Sequence, residues 1–299
     1  MRVLVTGGSG FVGYKLVKKF REIAIVGYTV CSNSCQIHNA TQFQVDLRKN
    51  STIRQAILKF DPDIVIHCAA ETNVDVCEFK PERAWEINVE GTRDVVLHAE
   101  AVGAKIVLLS TSFVFDGELD HYGPEDKPNP SNVYGETKLA AEQAVIQSCA
   151  PGLILRTDQP FGWSEKWQTD TMVEWVLNKL IRDEPFPVFQ DWWNCPTFID
   201  DLAQMTLSLA LNEHRGIYHC VGSEYVSRYQ WANLIADVFN LNKQIILKSQ
   251  SNNSELPAAR PNVHLRNSRM RAATGIKIHS LRESTRKLQD VANKSNQLF

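Results

Sequence analysis

Short apolar runs alternate with longer amphipathic segments along the first half of the chain. "RVLVT" (2–6) predicts a strand, and apolar positions at helical spacing over 11–20 predict a helix after it. "EIAIVGYTV" and "TQFQVDL" read as further strands, followed by a helix over 51–60. "DIVIHCA" (63–69) is an almost unbroken apolar run, as a strand covered on both faces should be. A helix over 81–101 leads to "KIVLLSTS" (105–112), and another over 132–148 leads to "GLILRT". Such alternation predicts an α/β fold with a parallel sheet, helices on both faces and right-handed crossovers, which is the doubly wound (Rossmann) arrangement.

The second half is less regular. Residues 116–132 ("DGELDHYGPEDKPNPSN") are dense in turn formers and predict a long surface loop, the kind that often binds ligands. A helix over about 170–182 and a Trp-containing loop, "FQDWWNCPT", follow. Between 258 and 287 the chain carries Arg260, Arg266, Arg269, Arg271, Lys277, Arg282, Arg286 and Lys287 against Glu283 alone. The expected division is a dinucleotide-binding domain over 1–156 and a smaller, interleaved substrate lobe over 157–299. A segment near 198–220 is expected to return to the first domain.

Composition narrows the function classes. A net charge of −2 gives no general attraction to nucleic acid or anionic membrane, and no apolar run approaches the length of a membrane span. Met1 and Arg2 lead directly into the first apolar run, so no leader is expected and the cytoplasm is the expected location. The seven cysteines form no metal-ligand pattern: Cys31 and Cys35 lack a second close pair, so reduced thiols and no metal are expected.

Candidate chemistry begins at "TGGSGFVG". Gly7, Gly10 and Gly13 sit three residues apart between a strand and a helix. Glycines there permit a tight turn, let the backbone approach a pyrophosphate and let helix and strand pack closely. The N–H groups at the helix start then hold the phosphate. For NAD, the second strand should end in an acid for the ribose, yet no Asp or Glu lies between Glu22 and Asp46. That favours NADP and leaves NAD open, because no Arg stands at that strand end either. Asp46, after the next strand, is placed to touch adenine or to cap the turn that follows.

"YGETK" sets Tyr134 and Lys138 four apart on one face of a helix start. A free tyrosine titrates near pH 10, and a neighbouring ammonium favours its phenolate, bringing it towards use as a general acid or base. Ser110 and Thr111, at the end of "LLSTS", are candidates to hydrogen-bond the same reacting oxygen.

The glycine turn, "HCAAETNVDVCE", "INVEGT", "STSFVFDG", "NPSNVYGETK" and "ILRT" occur in that order. Together they resemble an extended short-chain dehydrogenase/reductase. "VDVCE", "STSFVFDG", "PTFIDDLA" and "ARPNVHL" resemble the dTDP-4-dehydrorhamnose reductase family over nearly the whole chain. The resemblance implies that Tyr134 donates the proton, Lys138 activates it and binds ribose, and Thr111 orients the substrate carbonyl. It implies that Gly7, Gly10 and Gly13 hold the pyrophosphate, with Ser9, Phe11 and Val12 as further contacts to the cofactor. Asp46 and Leu47 would lie at the adenine, and Ala69 and Ala70 at the nicotinamide. Asn88 matches an asparagine that fixes its helix rather than reacting. Thr72, Val74, Ser112, Phe113, Asp158, Trp193 and Arg260 are the implied substrate residues, with Arg260 the candidate ligand of a diphosphate. Trp192 and Trp193 fit stacking on a base or sugar as well as packing, and Asp75 and Glu78 fit loop ligands, with helix capping the alternative for Asp75.

Several positions depart from that family. It usually reads Ser-Thr-Asp-Tyr where this chain has Ser110-Thr111-Ser112-Phe113, and Ser-Trp where it has Asp158-Gln159. The loop before Pro196 and Thr197 carries Trp192, Trp193, Asn194 and Cys195. Ser112 and Phe113 lack the acids of a sugar dehydratase. A NAD(P)H-dependent reductase of a nucleotide-linked 4-keto sugar is the first expectation, with a nucleotide-sugar substrate and a homodimer left open. An epimerase remains a second. A non-catalytic subunit like the methionine adenosyltransferase beta subunit, which is similar to the same family, is a third.

Overall fold

The computed structural model describes residues 1–33, 35–251 and 255–295. The seven strands of the central sheet are β1 (Arg2–Thr6), β2 (Ile25–Val30), β3 (Ala40–Gln44), β4 (Ile64–His67), β5 (Lys105–Thr111), β6 (Gly152–Thr157) and β7 (Gly216–His219). All pair in parallel, in the spatial order β7-β6-β5-β4-β1-β2-β3. The strand order reverses between β1 and β4, and in doubly wound sheets the crevice at that point is where ligands bind.

The side-chain alternation of β1 explains the layering. Val3 and Val5 join one core with Leu16, Val17 and Phe20 of α1 (Phe11–Phe20). Leu4 points the other way, into a core with Ile53, Ile57 and Phe60 of α2 (Asn50–Phe60). β1 is thus apolar on both faces, as its sequence requires, whereas the edge strand β3 leaves Thr41, Gln42 and Gln44 exposed. Lys18 and Lys19 close α1 at the negative end of its dipole.

The helix expected over 81–101 is interrupted, and it is preceded by α3 (Val74–Phe79), where no helix was expected. α4 (Pro81–Trp85) runs into a π-helical turn at Glu86–Glu90 before α5 (Gly91–Ala101). Two contacts account for the break. Asn88 is 1% exposed and turns its amide inward. Gly91 lies so close to the β3 side that a Cβ there would sit 2.8 Å from that of Leu47. The wider turn lets both residues reach the core.

After α6 (Val133–Ile146) and β6, a second group of elements gathers over the sheet's carboxyl edge. It contains α7 (Met172–Ile181) and three short ladders that pair residues 160–161 with 197–198, 186–189 with 246–249, and 193–194 with 226–227. α8 (Ile199–Leu211) follows the first of these ladders and leads to β7, the edge strand beside β6. α9 (Arg228–Phe239), α10 (Ser268–Thr274) and α11 (Leu281–Ser295) complete the chain's described helices. No helix among the described residues is long and apolar enough to cross a membrane. Nor do they bring three or more His, Cys, Asp or Glu side chains together as a metal site.

Candidate active site

A cavity of about 600 Å³ opens at the switch point and runs along the carboxyl edge of the sheet. One end is the turn between β1 and α1. Gly7 has φ +68°, in the left-handed region, and a Cβ on it would lie 2.9 Å from the Ala69 backbone. A Cβ on Gly13 would lie 2.2 Å from the carbonyl oxygen of Gly7. Backbone therefore packs on backbone, with no room for side chains. Gly10 caps α1, no side-chain oxygen accepts from the first turn, and that turn carries no acid. The N–H groups at the helix start are free for an anion. These features fit the pyrophosphate of a dinucleotide.

Behind the turn, a chain of hydrogen bonds holds the strand ends in place. Thr6 Oγ1 accepts from the N–H groups of Cys68 and Ala69, at 3.1 Å each, so its own proton goes to His67 Nδ1 at 2.7 Å. His67 Nε2–H then donates to Thr92 Oγ1, and Thr92 donates to the Asn88 carbonyl. Burial drives the His67 imidazole down to about 3, so it stays neutral, as this chain demands. The Asn88 amide accepts from Glu71 N–H and donates to the Glu71 carbonyl and Thr137 Oγ1. Thr137 Oγ1 in turn donates to the Tyr134 carbonyl. Asn88 acts as a strut between the β4 loop and α6.

α6 starts where it does because Asn132 accepts from Gly135 N–H at 2.8 Å, a normal N-cap. Its Nδ2 donates to the Ala259 carbonyl, which ties the helix start to the second group of elements. Glu78, one of the expected loop ligands, accepts from Val133 N–H at the same helix start. A Cβ on Gly135 would meet the Phe113 carbonyl oxygen at 2.1 Å. The helix is thereby pressed onto the 3-10 turn Ser112–Val114, and Tyr134 and Lys138 face Thr111 across the cavity wall. Phe113 packs edge-on against the Tyr134 ring at 6.2 Å.

Electrostatics correct one expectation here. Burial raises the Tyr134 phenol above its ordinary value, and the facing Thr111 hydroxyl offsets this only in part. In the protein alone the Tyr134 phenol therefore keeps its proton at neutral pH, because desolvation governs it. Burial brings Lys138 down to about 8, against the opposing pull of Glu142 one helical turn on. Glu142 is itself held by Arg156, through Nε at 2.9 Å and Nη2 at 2.7 Å, and by the Ser110 hydroxyl at 2.5 Å. Ser110 thus gives its hydroxyl proton to Glu142, although the residue lines the cavity beside Thr111.

The remaining expected residues divide into two sets. Gly7, Ser9, Gly10, Phe11, Val12, Gly13, Asp46, Leu47, Ala69, Ala70, Thr72, Val74, Ser112, Phe113 and Asp158 all line the same cavity as Thr111, Tyr134 and Lys138. Trp193 and Arg260 are not among its lining residues. Arg260 Nη2 lies 2.7 Å from Asp75 Oδ1, and Nη1 donates to the Ala258 carbonyl. Asp75 is thus an ion-pair partner, and Asn73 caps α3 in its place. Trp193 leans on Tyr225, with ring centroids 5.4 Å apart, while Trp192 lies under the guanidinium of Arg228 at 4.3 Å.

Asp158 accepts from Ser112 Oγ at 3.0 Å and from Cys195 N–H at 2.7 Å. Burial pushes its carboxyl up to about 6 despite those bonds and the nearby Arg228 charge. Ser112 and Asp158, the two departures from the family pattern, therefore form one coupled pair in the wall. The sequence reading missed Arg48, Glu71, Arg83 and Ile87, which also line the cavity. It also missed the 163–168 loop, where Trp167 and Gln168 both donate to the Ser9 carbonyl at 3.0 Å and cover the glycine turn.

Known proteins share this architecture. A sequence profile for the RmlD substrate binding domain matches residues 1–294. The methionine adenosyltransferase 2 subunit beta of Bos taurus is 32% identical over 248 residues, covering 80% of this chain and 72% of that protein. A Haloferax volcanii protein described as a "probable low-salt glycan biosynthesis reductase Agl14" is 31% identical over 270 residues, covering 87% of this chain and 88% of its own. The crystal structure of dTDP-4-dehydrorhamnose reductase from Bacillus anthracis, in complex with NADP, superposes with a TM-score of 0.84. It is 26% identical and covers 97% of this chain and 99% of that one.

Proposed function

The chain belongs to the family of the RmlD substrate binding domain, and on that premise we propose that it is an NADP(H)-dependent reductase of a nucleotide-linked 4-keto sugar. The observation that carries this reading is the convergence of Thr111, Tyr134 and Lys138 on the cavity that begins at the glycine turn. The N–H groups at the α1 start hold the pyrophosphate, Asp46 and Leu47 border the adenine, and Ala69 and Ala70 flank the nicotinamide. NAD is the alternative dinucleotide. When bound, the dinucleotide supplies a hydride to the carbonyl carbon. Tyr134, protonated at neutral pH, gives its phenolic proton to the oxygen on which charge develops. Thr111 donates a hydrogen bond to the same oxygen, and the Lys138 ammonium stabilises the phenolate that Tyr134 leaves behind. Thr72, Val74, Phe113 and the Ser112–Asp158 pair border the space left for the sugar.

A second reading is a dinucleotide-binding subunit that acts through a partner enzyme. Its support is the 32% identity to the methionine adenosyltransferase 2 subunit beta, together with the altered wall at Ser112 and Asp158. Purified protein supplied with NADPH and dTDP-4-keto-rhamnose separates the two. Steady loss of NADPH absorbance supports the reductase. Nucleotide binding without oxidation across a panel of nucleotide keto sugars supports the subunit, and sugar inversion without net oxidation supports an epimerase. Tyr134→Phe should lower turnover about 100-fold or more while leaving NADPH binding within a few fold, and unchanged turnover would remove Tyr134 from the chemistry.

A further inference from the structure

We propose that Arg48 is the cation that recognises the 2′-phosphate of NADP, and so sets the dinucleotide preference; this rests on the dinucleotide reading above. Between Glu22 and Asp46 the sequence has neither a Lys or Arg to bind that phosphate nor an acid to repel it. At the tip of β2 the cavity wall consists of Cys31 and Ser32, which are uncharged. Arg48, four residues beyond the end of β3, reaches the same end of the cavity and lines it beside them.

Arg48 is held in position for this. Its Nε donates to Asp46 Oδ1 at 2.9 Å and its Nη2 to Asp46 Oδ2 at 2.7 Å, while its backbone N–H also donates to Oδ1. The fork fixes the guanidinium plane and leaves Nη1 without a partner among the described residues. Asp46 therefore spends its charge on Arg48, whose proximity holds the carboxyl below its usual range. Glu86, exposed on the π-turn, is the other acid whose charge bears on Arg48. Of the other cations lining the cavity, Arg83 lies 3.9 Å from Glu71 and Lys138 stands at Tyr134, so neither serves the β2 tip. A guanidinium with a free donor edge suits a phosphate dianion, and the adenosine ribose of an NAD would offer it only a neutral hydroxyl.

Calorimetric titration of the full chain with NADPH, NADH and adenosine 2′,5′-bisphosphate tests the assignment. Arg48→Ala should weaken NADPH and the bisphosphate about 10- to 100-fold, the worth of one charge-assisted contact, and leave NADH within about threefold. Arg48→Lys should fall between, since it keeps the charge and loses the fork. Arg48 is solvent-exposed in its side chain, at 42%, so both variants should melt as the wild type does. Equal losses for NADPH and NADH, or no loss for NADPH, would overturn the proposal alone. A wild-type chain that binds neither nucleotide would overturn the dinucleotide reading with it.

Discussion

Lys138 is the residue at which pH and chemistry meet. Its pKa of about 8 lies below that of a free lysine, because burial disfavours the charged form. Its ammonium is therefore present below about pH 8 and lost as pH rises through that value. Tyr134 is raised rather than lowered and remains protonated over the same interval. Turnover should thus fall on the alkaline side with a break near pH 8. Lys138→Arg should remove that break, since a guanidinium stays charged, and a pH–rate profile of both proteins checks it. In the same wall, Asp158 shows why burial cannot be read from residue type. Its sequence neighbours gave no sign that Ser112, Cys195 and Arg228 would enclose it.

Among the elements, α6 carries Tyr134 and Lys138, and its first turn fixes where they stand. Gly135 is pressed against the Phe113 carbonyl, so Gly135→Ala must push the helix start away from the turn that follows Thr111. The expected cost is about 1–3 kcal/mol of stability. Turnover should fall well beyond what that loss of folded protein explains, while dinucleotide affinity stays within a few fold. Denaturant melts and NADPH titration of the one variant separate these effects. Elements built from local signals were legible in the sequence. The turn from β1 to α1 announces itself by glycine spacing, and α6 by the Tyr134–Lys138 spacing. The break before α5 was not legible, because it follows from Asn88 reaching Glu71 and Gly91 reaching Leu47 across the fold. Arg48 was missed for a related reason: its value depends on β3 lying beside β2, which brings it to a strand tip it does not belong to. Arg260 and Asp75, 185 residues apart, find each other only in three dimensions.

Across the whole molecule, the Glu142–Arg156 pair joins α6 to β6, the strand beside the edge of the sheet. Both side chains are almost wholly buried, at 0% and 1% exposure, and Ser110 of β5 adds a third bond. Removing one charge strands the other, so Glu142→Gln should cost about 3–5 kcal/mol. Replacing both residues with apolar ones of similar size should recover much of that loss. Chemical denaturation of the single and double variants measures the difference. The same pair stands one turn from Lys138, so the single variant should also lower the pH at which activity breaks. Fold and candidate active site therefore draw on one buried charge network, and the Ser112–Asp158 wall lies outside it.

The hydrogen bonds between Thr6 and the start of α6 have a consequence for how the proposed reaction would be reset. Each link is fixed in direction, beginning at the amides of Cys68 and Ala69. His67 sits in the middle as a single neutral tautomer, with no spare acceptor or mobile proton. Among the described residues these bonds end on the backbone carbonyls of Asn88 and Tyr134, so on the proposed reading the proton that Tyr134 gives up would be replaced from the cavity side.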